Sequence, residues 1–232
     1  MTIRNTWALP AIALAGALAF TGCSASTPEP TSPPPAAEQK EAPPAETATP
    51  AGAGNVPEWA NGAVGLGDLI GGQKTASWNI EAFQVGTGVT AKDSMFVDAE
   101  TNENLLPAGS KVVFVNFEYT NISDAPIGVG FGFGSPDVRS ANWNFGIGQP
   151  GESSAAGFEA QGVSNELVKV GAAGDKQSFE VGPGETVSRA ISIGYEPGVS
   201  AHARGFILTP VSADGVMDHD NSEQAEFDIT IK

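Results

Sequence analysis

The chain of 232 residues carries 27 acidic against 11 basic side chains, a formal net charge of −16, and a single cysteine. That acidity excludes nucleic-acid binding, which needs clustered Lys and Arg to neutralise phosphate. It also disfavours charge-driven docking on anionic lipid, and one cysteine excludes an internal disulfide.

Residues 1–22, MTIRNTWALPAIALAGALAFTG, place one positive charge at Arg4, an apolar run from Ala8 to Phe20, and two small residues before Cys23. This is the layout of an export signal. A membrane-crossing helix requires roughly 20 apolar residues, and this run is too short for one. The tetrad Phe20-Thr21-Gly22-Cys23 resembles the bacterial lipobox, with Phe20 where Leu is the usual residue. The resemblance implies that Cys23 becomes a lipidated amino terminus, carrying palmitate-type acyl chains at the extracellular face of the cell membrane. Two or three chains hold a protein on a bilayer where one does not. The alternative is a conventional signal cut nearby, with an incidental thiol.

Residues 23–56 follow as a tether. From Ser24 onward this stretch holds eight prolines, four Glu and no aromatic residue, a composition that cannot bury enough apolar surface to offset its ordering entropy. Extended polyproline II at about 3.1 Å per residue gives it a reach of roughly 100 Å. A Pro-rich ligand motif is the other reading, but flanking basic residues are lacking.

The remaining stretch, 57–232, reads as one β domain. In KVVFVNFEYTN, Val113, Val115, Phe117 and Tyr119 alternate with Phe114, Asn116, Glu118 and Thr120, which predicts a half-buried strand. TVSRAISIGYE repeats the pattern with Ile191, Ile193 and Tyr195 inward and Ser188, Ala190 and Ser192 outward. EFDITIK does so with Phe227, Ile229 and Ile231. ASWNIEAFQV, KQSFEV and ARGFILTPV are strand-like by β-branched and aromatic content. The turn formers of NISDAP and VGPGET separate strands. No stretch shows helical spacing over three turns. Seven to nine short strands without βαβ alternation predict an all-β, antiparallel sandwich, with a closed barrel as runner-up.

The segments NFEYTNISDAP and FEVGPGETVSRAISIGYE resemble the immunoglobulin-like domain of unknown function found in many Gram-positive and actinobacterial lipoproteins. That domain is related in fold to a small secreted mycobacterial antigen. Asn121, Ser123, Asp124, Pro183, Gly184 and Glu185 occupy the matching turn positions, and the likeness spans residues 63–232. It implies an immunoglobulin-like β-sandwich. It transfers no catalytic residue, because the family has none established. Residues 126–175 have no counterpart in it.

Chemistry is sought directly in the side chains. His202 and His219 lack zinc-site spacing, and neither HExxH nor CxxC occurs. No Gly-x-Ser-x-Gly or Ser-x-x-Lys is present, and carboxylate pairs of the glycosidase kind arise by chance among so many acids. Gly146, Gly148 and Gly151 of GIGQPG match dinucleotide-fingerprint spacing, but Pro150 and GESSAAG read as a loop, not the helix that fingerprint needs. Two weak candidates remain. Asp214, Asp218, Asp220, Asn221 and Glu223 cluster before the last strand as oxygen ligands for Ca²⁺, without EF-hand spacing, and an acidic solvated turn is the better reading. Phe131, Phe133, Trp143 and Phe145 offer an aromatic partner-binding surface, set against a role as core aromatics. The expectation is a lipid-anchored, non-catalytic surface module that binds or assembles with a cell-envelope protein or glycan. The runner-up is an exported solute- or cation-binding protein, or an enzyme using acidic residues.

Overall fold

Apolar alternation sets the centre of the structure, a computed structural model that describes residues 55–140 and 151–232. Strand β1 (Asp68–Lys74), β2 (Trp78–Val89), β3 (Lys111–Asn121) and β7 (Thr186–Gly194) form one antiparallel sheet in the order β1-β2-β3-β7. Strand β4 (Ile127–Val129) pairs with β6 (Phe179–Val181). A third sheet runs β5 (Asp137–Ser140), β8 (Ser200–Arg204), β9 (Phe227–Thr230). Every strand pair is antiparallel. The all-β antiparallel class expected from the alternation is therefore present, as three sheets and not as one closed barrel.

The inner face of the large sheet makes the core. Trp78, Ile80, Val113, Val115, Phe117, Tyr119, Val187 and Ile193 from this sheet pack against Phe133, Val138, Phe179, Ala203, Phe206, Leu208 and Ile229. Ring contacts cross the interface, Trp78 to Phe133 at 4.7 Å between centroids and Phe117 to Phe206 at 5.6 Å. The inward residues predicted on β3, β7 and β9 all lie here.

Three expectations need correction. Strands β3 and β7 are buried on both faces, because Val112, Phe114, Asn116 and Glu118 on the one, and Ser188, Ala190 and Ser192, expected outward, on the other, are all covered. What covers them is helix α1 (Gly151–Ala160) and a preceding chain segment, and Phe158 of α1 stands edge-on to Phe114 at 5.1 Å. The stretch GESSAAG read as a loop is thus helical. Its apolar contacts are too sparse to show as a periodic stripe, since Phe158 is the one large apolar residue of α1. Gly146 and Gly148 lie outside the described residues. Finally, ARGFILTPV is a strand only to Arg204, because Gly205 turns the chain at a φ of 62°, and the remainder makes isolated bridges at Leu208 and Val211.

Candidate functional site

The segment Asn55–Gly67 builds two features, a cleft and a strap. It enters beside β7, where Asn55 O accepts from Thr186 N at 2.9 Å. Buried Pro57 restricts the backbone before Trp59, whose indole N–H donates to Glu180 O at 3.0 Å and whose ring lies 4.9 Å from that of Phe179. Trp59 and Phe179 then line a cleft of about 880 Å³, together with Glu58, Lys176, Glu180 and Glu185. The rest of its lining comes from the β4–β6 pair, the turn before β7 and the segment 211–213.

Beyond Ala60 the same segment straps the outer face of the large sheet. Asn61 N donates to Leu167 O at 2.7 Å and Asn61 Nδ2 to Ser164 Oγ at 2.8 Å. Ala63 O accepts from Asn116 Nδ2 at 2.9 Å and from Ser188 Oγ at 3.0 Å, and Gly65 N donates to Glu118 Oε1 at 2.7 Å. Gly62 is required in this path. Its φ is 91°, and an added Cβ would lie 2.3 Å from Ser188 Oγ.

Under the strap sits a carboxyl out of water. Glu118 is 6% exposed, and burial pushes its pKa from 4.5 to about 7; the Gly65 N–H pulls it down, the facing Glu81 carboxylate raises it, and the Asn116 amide lowers it. Asn116 Nδ2 also reaches Glu118 Oε1 at 3.3 Å, while Asn116 Oδ1 has no hydrogen-bond partner among the described residues. Sequence reasoning put Glu118 on a solvated face and so missed it. The signal was an acid and an amide two apart on one face of the most apolar strand, next to Ser188 by register.

The acidic loop is spent on local turns. Asp214 accepts from Ser212 Oγ at 2.5 Å, a bond that lowers its pKa. Asp218 caps the 3₁₀ turn His219–Asn221, accepting from Asn221 Nδ2 at 2.7 Å and Asn221 N at 3.3 Å, and its pKa is lowered in consequence. Glu223 turns away to take Ser77 N at 3.2 Å. Asp220 lies in the 3₁₀ turn beside Asn221. Among the described residues no group of three or more His, Cys, Asp or Glu is placed to hold a metal ion.

The aromatic segment divides. Phe133 is a core residue at 2% exposure, packed on Trp78 and Tyr119. Phe131 is 46% exposed and sits edge-on to Phe179 at 5.3 Å, next to the cleft. Trp143, Phe145 and Cys23 lie outside the described residues. His202 sits on the open face of the third sheet, its Nδ1 2.9 Å from Asp228 Oδ1.

No family model matches this chain, and no curated protein matches it. Among solved structures, a conserved hypothetical protein from Bacillus anthracis is similar at 16% identity with a TM-score of 0.33, over 68% of this chain and 93% of that one. At that distance the likeness assigns no role to any residue. Among the described residues no helix is long and apolar enough to cross a membrane.

Proposed function

We propose that this is a lipoprotein, held at the extracellular face of the cell membrane by acyl chains on Cys23, that presents its β domain on a proline-rich tether as a binding or assembly module. The observation that carries the reading is the order of segments in the sequence. A short apolar signal ends in Phe-Thr-Gly-Cys, an aromatic-free, proline-rich stretch follows, and then strand periodicity begins. The immunoglobulin-like resemblance at Asn121, Ser123, Asp124, Pro183, Gly184 and Glu185 agrees with it, and the cleft at Trp59 supplies a surface to bind with.

The test is metabolic labelling of the full-length chain in an exporting bacterium with an alkyne-bearing palmitate analogue. The wild type takes up label, and Cys23→Ala loses it and keeps its uncleaved signal. Label retained by Cys23→Ala overturns the anchor.

One observation favours the runner-up, an enzyme or solute receptor using carboxylates, because acids with raised pKa values concentrate at catalytic sites. Glu118 has such a value, but the strap's Ala63 and Gly65 close over it, and its bonds go to the protein itself. We therefore assign Glu118 to holding the strap.

A further inference from the structure

Aromatic faces attract cations because the ring quadrupole presents its negative side there, and the effect is strongest for Trp. Trp59 is prepared for such a role. One part of its ring rests on Phe179, its N–H is tied to Glu180 O, and the rest of its surface lines the cleft. A side chain fixed in this way loses little entropy when a ligand arrives. The volume, about 880 Å³, is of the size that small ligands and peptide side chains fill.

Charge then selects the ligand. Three carboxylates, Glu58, Glu180 and Glu185, line the cleft against one ammonium, Lys176. Glu185 spends one oxygen on Gly182 N at 2.7 Å. Glu58 and Glu180 make no side-chain hydrogen bond or ion pair among the described residues, and both are exposed at the rim. The second lysine nearby, Lys169, is turned to Glu58 O at 2.8 Å and does not line the opening. The net charge of −16 adds a long-range field of the same sign.

We propose that this cleft binds the lysine or arginine side chain of a basic peptide segment on a cell-envelope partner, with the cation against Trp59 and between the carboxylates of Glu58 and Glu180. The inference rests on the binding-module part of the proposed function and is independent of the anchor. A glycan also stacks on Trp, but its hydroxyls gain nothing from the net charge and its binding is insensitive to salt. Salt dependence therefore separates the two classes.

The experiment follows the indole N–H resonances of the full-length ¹⁵N-labelled chain carrying Cys23→Ser, so that lipid plays no part. Trp59 is assigned by the signal lost in Trp59→Phe. The probes are acetyl-Lys-Lys-Lys-amide, acetyl-Gln-Gln-Gln-amide and an N-acetylglucosamine trimer. The expected result is a saturable Trp59 shift with the lysine peptide alone, weakened about 10-fold by E58Q/E180Q and by raising salt from 50 to 500 mM. The double variant alters no core contact, so an unchanged urea midpoint certifies its fold. Saturation by the sugar and not the lysine peptide overturns the cation assignment and leaves the binding-module reading standing. A lysine-peptide shift untouched by E58Q/E180Q, or no shift with any probe, overturns the inference.

Discussion

Replacing Glu118 by Gln tests the strap most directly. In the folded chain the carboxyl ionises near pH 7, against 4.5 for a free one, because burial under Ala63 and Gly65 opposes its charge. The folded state thus holds this proton more tightly than the unfolded state. Its stabilising effect is fully present below about pH 4.5, declines as pH rises, and is gone once pH passes through about 7. The full difference corresponds to about 3 kcal/mol, and relaxation of the strap to admit water reduces the measurable part to about 2 kcal/mol. The facing groups are Glu81 from β2, Asn116 beside it on β3, Ser188 from β7 and the Gly65 N–H from the strap.

Glutamine keeps the oxygen that accepts from Gly65 N and carries no charge at any pH, so Glu118→Gln mimics the protonated acid. Urea unfolding of both chains, followed by the fluorescence of buried Trp78, is compared from pH 5 to 8.5. The variant matches the wild type near pH 5 and exceeds it by about 2 kcal/mol at pH 8.5, or about 4–8 °C in Tm. Because groups away from this site contribute equally to both chains, the difference reports Glu118 and its coupling to Glu81. A difference that stays constant across this range refutes the buried-carboxyl reasoning.

Gly62→Ala forces a side chain into the left-handed region and against Ser188 Oγ, so it costs at least about 1–2 kcal/mol and speeds hydrogen exchange at Asn61 and Gly65. A neutral urea midpoint counts against the strap geometry. Phe133→Ala opens the core beside Trp78 and Tyr119 and costs about 3–5 kcal/mol, whereas half-exposed Phe131 loses under about 1 kcal/mol; equal losses contradict the division of that segment. Millimolar Ca²⁺ leaves Tm unchanged, because Asp214, Asp218 and Glu223 are engaged in separate turn bonds. A rise of several degrees that Asp218→Asn abolishes shows instead that these carboxylates reorganise around the ion.

Period-two alternation was readable where the inner face carries large apolar side chains and the outer face mixes in polar ones. That is why Val113 to Tyr119, Ile191, Ile193, Ile229 and Ile231 were legible as inward residues. It gave no sign of α1, because a ten-residue helix that buries one ring against Phe114 leaves no stripe. Nor did it show that Asn116 and Glu118 lie under a strap, since the cover comes from Ala63 and Gly65, more than 50 residues earlier. Trp59 escaped notice for a related reason. It stands alone between the tether and the first strand, and its partners Phe179 and Glu180 are about 120 residues away. The acidic loop was conspicuous for the opposite reason, because its residues are close in sequence. Closeness there serves the Asp218 cap and the Ser212 turn, and does not converge the oxygens.

One wall of the cleft, the strap and the domain's link to its proposed anchor all belong to one run, Asn55–Gly67. Its bonds are ordered along the chain: Asn55 O to Thr186, the Trp59 carbonyl to Lys169 N at 3.0 Å and its indole to Glu180, then Asn61 to Ser164 and Leu167, and Ala63 and Gly65 to the sheet. Ionisation of Glu118 strengthens its bond from Gly65 N, whereas burial opposes the charge and prevails, so stability falls as pH rises through about 7.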